Sequence, residues 1–234
     1  MGFAQEVRAA FRRGDTAAVT LLAQAEVERA RTTGDSAGEV EALYALARVA
    51  LREEDRPRAE QLAEAALVVA MAAGDRALEE RPRHVLAAVA RLSGDHLTAR
   101  ERYRASIALN EELGRPETVT SESYNLAFTE LHLGDLERAR ELFAAVRRRT
   151  ADPAMLAYLA IGGAALARAE GDHERAAELL GSVDAAFAAI GQVPDPDDAA
   201  ELAAVRDATV AALGEERFRE RYAAGTSRRP DDLG

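Results

Sequence analysis

Apolar residues recur every three or four positions in runs of about 17 residues, and each run stops at a short polar turn. The phrase "LHLGDLERARELF" at 131–143 is nearly repeated as "RAEGDHERAAELL" at 168–180. "RLSGDHLTARERY" at 91–103 is a looser copy, and "LREEDRPRAEQLA" at 51–63 a worn one. The turns fall at Gly14, Gly34, Glu54, Gly74, Gly94, Gly114, Gly134, Gly171 and Gly191, stepping by 20 residues except for one gap of 37. Within that gap "TADPAML" supplies the missing turn, with Asp152 as helix cap and Pro153 at the first helical position. A glycine gives the left-handed stop of one helix, and in most copies the following aspartate caps the next. The unit is a helix, a tight turn and a second helix, and two helices make a repeat of about 40 residues.

Small residues at fixed offsets set the pairing. Five residues after four of the turns stand Ala59, Ala99, Ala139 and Ala176, and seven before them Ala47, Ala87, Ala127 and Ala164. Alanines there let antiparallel helices approach closely. Nine residues after the turn come Ala63, Tyr103, Phe143 and Leu180, placed to wedge into the next pair. The pattern predicts an all-α, right-handed solenoid of about five stacked antiparallel helix pairs over residues 1–192, capping helices over 193–225 and a flexible tail over 226–234. Leu202, Val205, Val210 and Leu213 share a face and are expected to cover residues 173–190, with Phe218 and Tyr222 closing the end. Pro82 is costly inside a helix, so that helix is expected to start near Arg81, after an extra turn or kink over 75–80.

The small–Gly–Ala–aromatic spacing resembles tetratricopeptide repeats, most closely in "YNLAFTELHLGDLERARELF" at 124–143. The longer period, with "AAELLGSVDAAFAAIGQ" at 176–192 and "LGEERFRERYAAG" at 213–225, is similar to the C-terminal repeat region of actinobacterial LuxR- and SARP-type ATPase regulators. That resemblance implies a regulatory or sensing module. It does not extend to their chemistry, because the chain has no GxxxxGK[ST] nucleotide loop and no residues left over for a helix-turn-helix domain.

Composition narrows the function further. Cysteine is absent and all 30 basic residues are arginine. Disulfides, thiolate nucleophiles, Schiff-base lysines and P-loop lysines are therefore excluded. A net charge of −11 opposes sequence-independent binding to nucleic acid. The opening "GFAQEVRAAFRRGD" has no apolar core of a signal peptide, and the longest uncharged apolar run, "MLAYLAIGGAALA" at 155–167, is too short to span a bilayer. A cytoplasmic protein that does not engage membranes is the expectation.

Positions 13, 10, 6 and 3 residues before each turn form one helical stripe, expected to be exposed along a concave inner face. They are Glu41, Tyr44, Arg48 and Leu51; Arg81, His84, Ala88 and Arg91; Ser121, Tyr124, Phe128 and Leu131, with Asn125 and His132 beside them; and Tyr158, Ile161, Ala165 and Arg168. Tyrosine rings and arginine forks are the side chains that anchor interfaces. The expectation is thus a non-enzymatic scaffold holding a protein or acidic peptide through Tyr44, Arg48, Arg81, His84, Arg91, Tyr124, Asn125, Phe128, His132, Tyr158 and Arg168. A sensor or unusual enzyme taking an anionic or aromatic metabolite in the same groove is the alternative. Tyr124, His132 and His84 would be its acid–base set. Without a carboxylate at fixed spacing these histidines read as contacts, so no catalytic residue, metal or cofactor is expected. His96 and His173, each following a capping aspartate, are expected to face solvent.

Overall fold

The structure, a computed structural model, describes residues 2–227. The predicted tail therefore lies almost wholly outside the described residues. The elements are helical throughout the described residues: α1 (Phe3–Arg12), α2 (Thr16–Thr33), α3 (Ser36–Arg52), α4 (Arg56–Ala73), a 3-10 turn (Arg76–Leu78), α5 (Glu80–Leu92), α6 (His96–Glu112), α7 (Pro116–His132), α8 (Leu136–Arg149), α9 (Pro153–Ala169), α10 (His173–Ile190), α11 (Pro196–Leu213) and α12 (Glu215–Thr226).

The Gly-Asp pair ends one helix and starts the next with a single set of bonds. Gly34, Gly94, Gly134 and Gly171 all have positive φ. The amide that follows reaches back five residues, as when Asp95 N–H donates to Ala90 O at 3.0 Å and Asp135 N–H to Glu130 O at 2.9 Å. This is the six-to-one bond of a Schellman stop. The same aspartate's carboxylate then accepts the amide three residues on, from Thr98 at 3.1 Å and from Arg138 at 3.0 Å. One dipeptide thus satisfies orphaned groups of two helices. Glu54 keeps the turn without glycine, at φ 60°, a region that costs a side chain about 1 kcal/mol or more.

Two compact units divide the chain, residues 1–125 and 126–234, the boundary falling inside α7. In the first, α3 packs against α2 and α4 and also touches α5, which packs against α4 and α6. Helices α3 and α5 are thus flanked on several sides, and α3 buries nine residues from Val40 to Leu51. Helix α2 buries only Val19, Ala23, Val27 and Ala30. In the second unit, α9 packs against α8, α10 and α11, and α10 against α11 and α12. All eight offset alanines, from Ala47 to Ala176, are fully buried, and so are Ala63, Tyr103 and Leu180, with Phe143 only 6% exposed. Of the predicted cover, Leu202, Val205 and Phe218 are buried, while Val210, Leu213 and Tyr222 are half-buried.

Candidate functional site

In the first unit the stripe on α3 meets the end of α1. The Arg48 guanidinium carbon sits 3.7 Å over the centre of the Phe11 ring and 5.5 Å from that of Tyr44. Arg52 stands 4.5 Å from the same Phe11 ring. On α5, Arg81 lies 5.2 Å from the Tyr44 ring and pairs with Glu41. The result is a ladder of rings and guanidinium planes: Phe11, Arg48, Tyr44, Arg81. Each such contact is worth about 0.5–1 kcal/mol where exposed and about 2 where desolvated. Phe11 is buried, while Tyr44 and Arg48 remain half-buried, so the middle of the ladder is accessible as well as held in place.

Further ionisable groups lie beside the ladder. Burial pulls the Arg81 guanidinium below its ordinary pKa, and the positive charges of Arg8 and Arg115 pull it further. Burial pushes the neighbouring Glu80 carboxyl up; Glu122 adds to this while His84 and Arg115 oppose it. His84 Nδ1 lies 3.0 Å from Glu122 Oε1, and Glu122 is only 1% exposed. Arg8, Arg48, Arg52, Arg81 and Arg115 outnumber Glu41, Glu80 and Glu122 among these groups.

The remaining predicted residues are placed differently. Arg91, Tyr124, Asn125 and Phe128 are buried, not exposed as the stripe predicted. So are Leu51, Ala88, Leu131, Ile161 and Ala165. Their side chains fill the space between helices instead of facing outward. Phe128 meets Phe143 edge-on, with ring centres 5.1 Å apart at 81°. Within the second unit, His132 Nε2 lies 2.6 Å from Glu201 Oε1. Tyr158 packs edge-on against Phe187 at 5.1 Å and 87°, and Arg168 is half-buried. The structure therefore brings Tyr44, Arg48, Arg81 and His84 into one neighbourhood of the first unit, and gives His132 and Tyr158 their own partners in the second. His96 and His173 are half-buried rather than solvent-facing.

Several members of the neighbourhood were missing from the stripe. Phe11 lies three residues before Gly14 and Arg8 six before it, so the same offsets applied to the first turn locate both. Glu201 lies 13 before Gly214 and is found in the same way. Glu80 and Glu122 sit one residue off the stripe, beside Arg81 and Ser121, and no periodicity marks them. Among the described residues, no three His, Asp or Glu side chains are grouped so as to hold a metal ion. No helix among them is long and apolar enough to cross a membrane.

The fold is similar to that of BtubC (BKLC) from P. vanneervenii, known from a crystal structure, with a TM-score of 0.58 and 22% sequence identity over 98% of this chain and 94% of that one. At this identity the likeness is one of fold. No protein-family model and no curated protein matches the sequence.

Proposed function

We propose that the chain is a tetratricopeptide-like scaffold, a right-handed solenoid of antiparallel helix pairs, that binds an acidic peptide segment of another protein in the cytoplasm and performs no chemistry itself. The observation that carries this reading is the ladder Phe11–Arg48–Tyr44–Arg81, in which buried Phe11 backs the half-exposed Arg48, Tyr44 and Arg81 of helices α3 and α5. Guanidinium planes already stacked on rings lose little further freedom on binding, and they pair with carboxylates through two parallel hydrogen bonds. Arg91, Tyr124, Asn125 and Phe128 then act by holding helices in place, while His84, His132, Tyr158 and Arg168 are secondary contacts. The resemblance to actinobacterial regulators supports a regulatory role for such a module.

Selection from a random displayed-peptide library tests the proposal. Enrichment of acidic sequences is expected, with affinity for a selected peptide falling as salt is raised, since exposed charges are screened within about 10 Å at 0.1 M. Tyr44→Ala is expected to weaken binding by about 2 kcal/mol if it anchors the peptide. Arg48→Glu should weaken the salt dependence and lower stability by about 1–2 kcal/mol, the sum of its contacts with Phe11 and Tyr44. Enrichment without acidic character, or affinities unchanged in both variants, overturns the reading. A small anionic molecule co-purifying in native mass spectrometry would favour a metabolite sensor instead.

A further inference from the structure

Helix α12 is fastened to α10 by charge and close approach more than by apolar burial. Of its 12 residues only Phe218 and Gly225 are buried. Arg217 reaches Glu174 through Nε at 2.8 Å and through a terminal nitrogen at 2.6 Å. Arg221 pairs with Glu174 at 3.5 Å and with Glu178. Tyr222 donates to Asp184, which also pairs with Arg206 of α11 at 2.8 Å. Gly181 and Gly225 let the two backbones touch. The groove on α10 is thus shaped to the side chains of this one helix.

A single residue, Gly214, turns the chain back so that α12 meets α10; it ends α11 and starts α12. Its φ of 76° and ψ of 158° lie in a region open essentially to glycine alone. Asp15, Asp35, Asp55, Asp95, Asp135 and Asp172 each cap the helix after their turn with a side-chain oxygen, whereas Gly214 offers α12 none. The last turn of α11 has no basic residue to balance its carbonyls. Glu215 and Glu216 favour the start of α12 by their charge, and they are also good helix-interior residues. With Gly214 in a helical conformation, α11 and α12 join, and the carbonyls ending one take the amides starting the other. Ala211, Ala212, Leu213, Glu215, Glu216 and Arg217 on either side are all strong helix formers. The joined helix carries α12 off its own α10. A short hinge, and a groove that fits only the departed helix, are the conditions under which copies exchange an element.

We propose that two copies of the chain exchange α12, each placing it on α10 of the other, with Gly214 as the hinge. The exchanged helix makes the same ion pairs and the same glycine crossing as in the single molecule. Only the hinge and the lost freedom of two molecules separate the states, so the exchanged dimer gains with concentration. The exchange involves second-unit residues alone and does not depend on the peptide-binding reading.

Refolding the full chain from urea at a series of concentrations, with sedimentation velocity on each sample, tests it. The dimer should grow with concentration in the wild type. Gly214→Ala disfavours the closed hinge and favours the joined helix, so it should raise the dimer-to-monomer ratio at least about tenfold. Charge reversal identifies the contact. Glu174→Arg and Arg217→Glu each set like charges across the docked helix. In an exchanged heterodimer of these two variants, both copies of the α10–α12 contact regain opposite charges. Co-refolding the two should therefore give heterodimer well above its statistical share, read by native mass spectrometry. This mixture decides the matter even where Gly214→Ala does not fold. A wild type monomeric at every concentration, a ratio unmoved by Gly214→Ala, or a statistical mixture of the charge variants overturns the proposal.

Discussion

Replacing Gly181 by alanine tests how α12 is held. A Cβ at Gly181 would lie 2.1 Å from Tyr222 O and 3.0 Å from Thr226 N, both backbone atoms of α12. From the other side, a Cβ at Gly225 would lie 1.8 Å from Glu178 O. The two helices cross backbone to backbone, and Ser182 Oγ donates to Gly225 O at 2.9 Å within the crossing. No rotamer change relieves a clash with backbone, so α12 must move by more than 1 Å, roughly, to restore ordinary contact. Overpacking of this kind costs about 3 kcal/mol. Alanine's better helix propensity offsets about 1 kcal/mol, leaving about 2. For a chain of this size that lowers Tm by about 4–8 °C. Gly163 is the control, also helical but with its nearest neighbour, Leu179 Cδ1, at 3.6 Å. Gly163→Ala keeps the propensity gain of about 1 kcal/mol and should raise Tm by about 2–4 °C. Thermal melts read both variants, and limited proteolysis shows whether α12 is released in Gly181→Ala. A Gly181→Ala protein that melts at or above the wild-type temperature would refute the crossing.

Other substitutions probe separate features. Glu54→Gly removes a side chain from the left-handed turn at φ 60° and should stabilise by about 1 kcal/mol, read by urea denaturation; an unchanged midpoint would mean that the turn carries no strain. Deleting residues 195–234 removes α11 and α12 from the buried surfaces of α9 and α10 and should cause aggregation or a lower melting temperature, whereas a truncated protein as soluble and stable as the whole would show that the cover is dispensable. Glu80 has its carboxyl pKa raised, chiefly by burial, so the folded state holds its proton more tightly than the unfolded state. Its contribution is therefore fully present below the ordinary carboxylate pKa and lost as pH rises through the raised one. Glu80→Gln should flatten that part of the stability–pH curve, and a curve superimposable on wild type would show that Glu80 is not the group responsible.

The repeat was legible in the sequence because its determinants are local. A left-handed residue followed by a capping aspartate is a property of two adjacent residues, and an alanine that allows close approach is marked by its distance from that turn. Hence the turns from Gly14 to Gly191, the eight buried alanines and the delayed start of α5, at Glu80 just ahead of Pro82, could all be read from the chain. The exposure of the stripe could not. Position in a helical period states which way a side chain leaves its own helix, but not whether another helix stands there. Arg48 and Phe128 occupy the same offset before their turns; one stacks half-exposed on Phe11, while the other is fully buried against Phe143. The pairing of His84 with Glu122 and of His132 with Glu201 joins residues 38 and 69 positions apart. The close crossing of Gly181 and Gly225 likewise depends on where α12 lands. Such contacts are set by the packing of elements distant in the chain, which no local period encodes, and only the tertiary structure decided them.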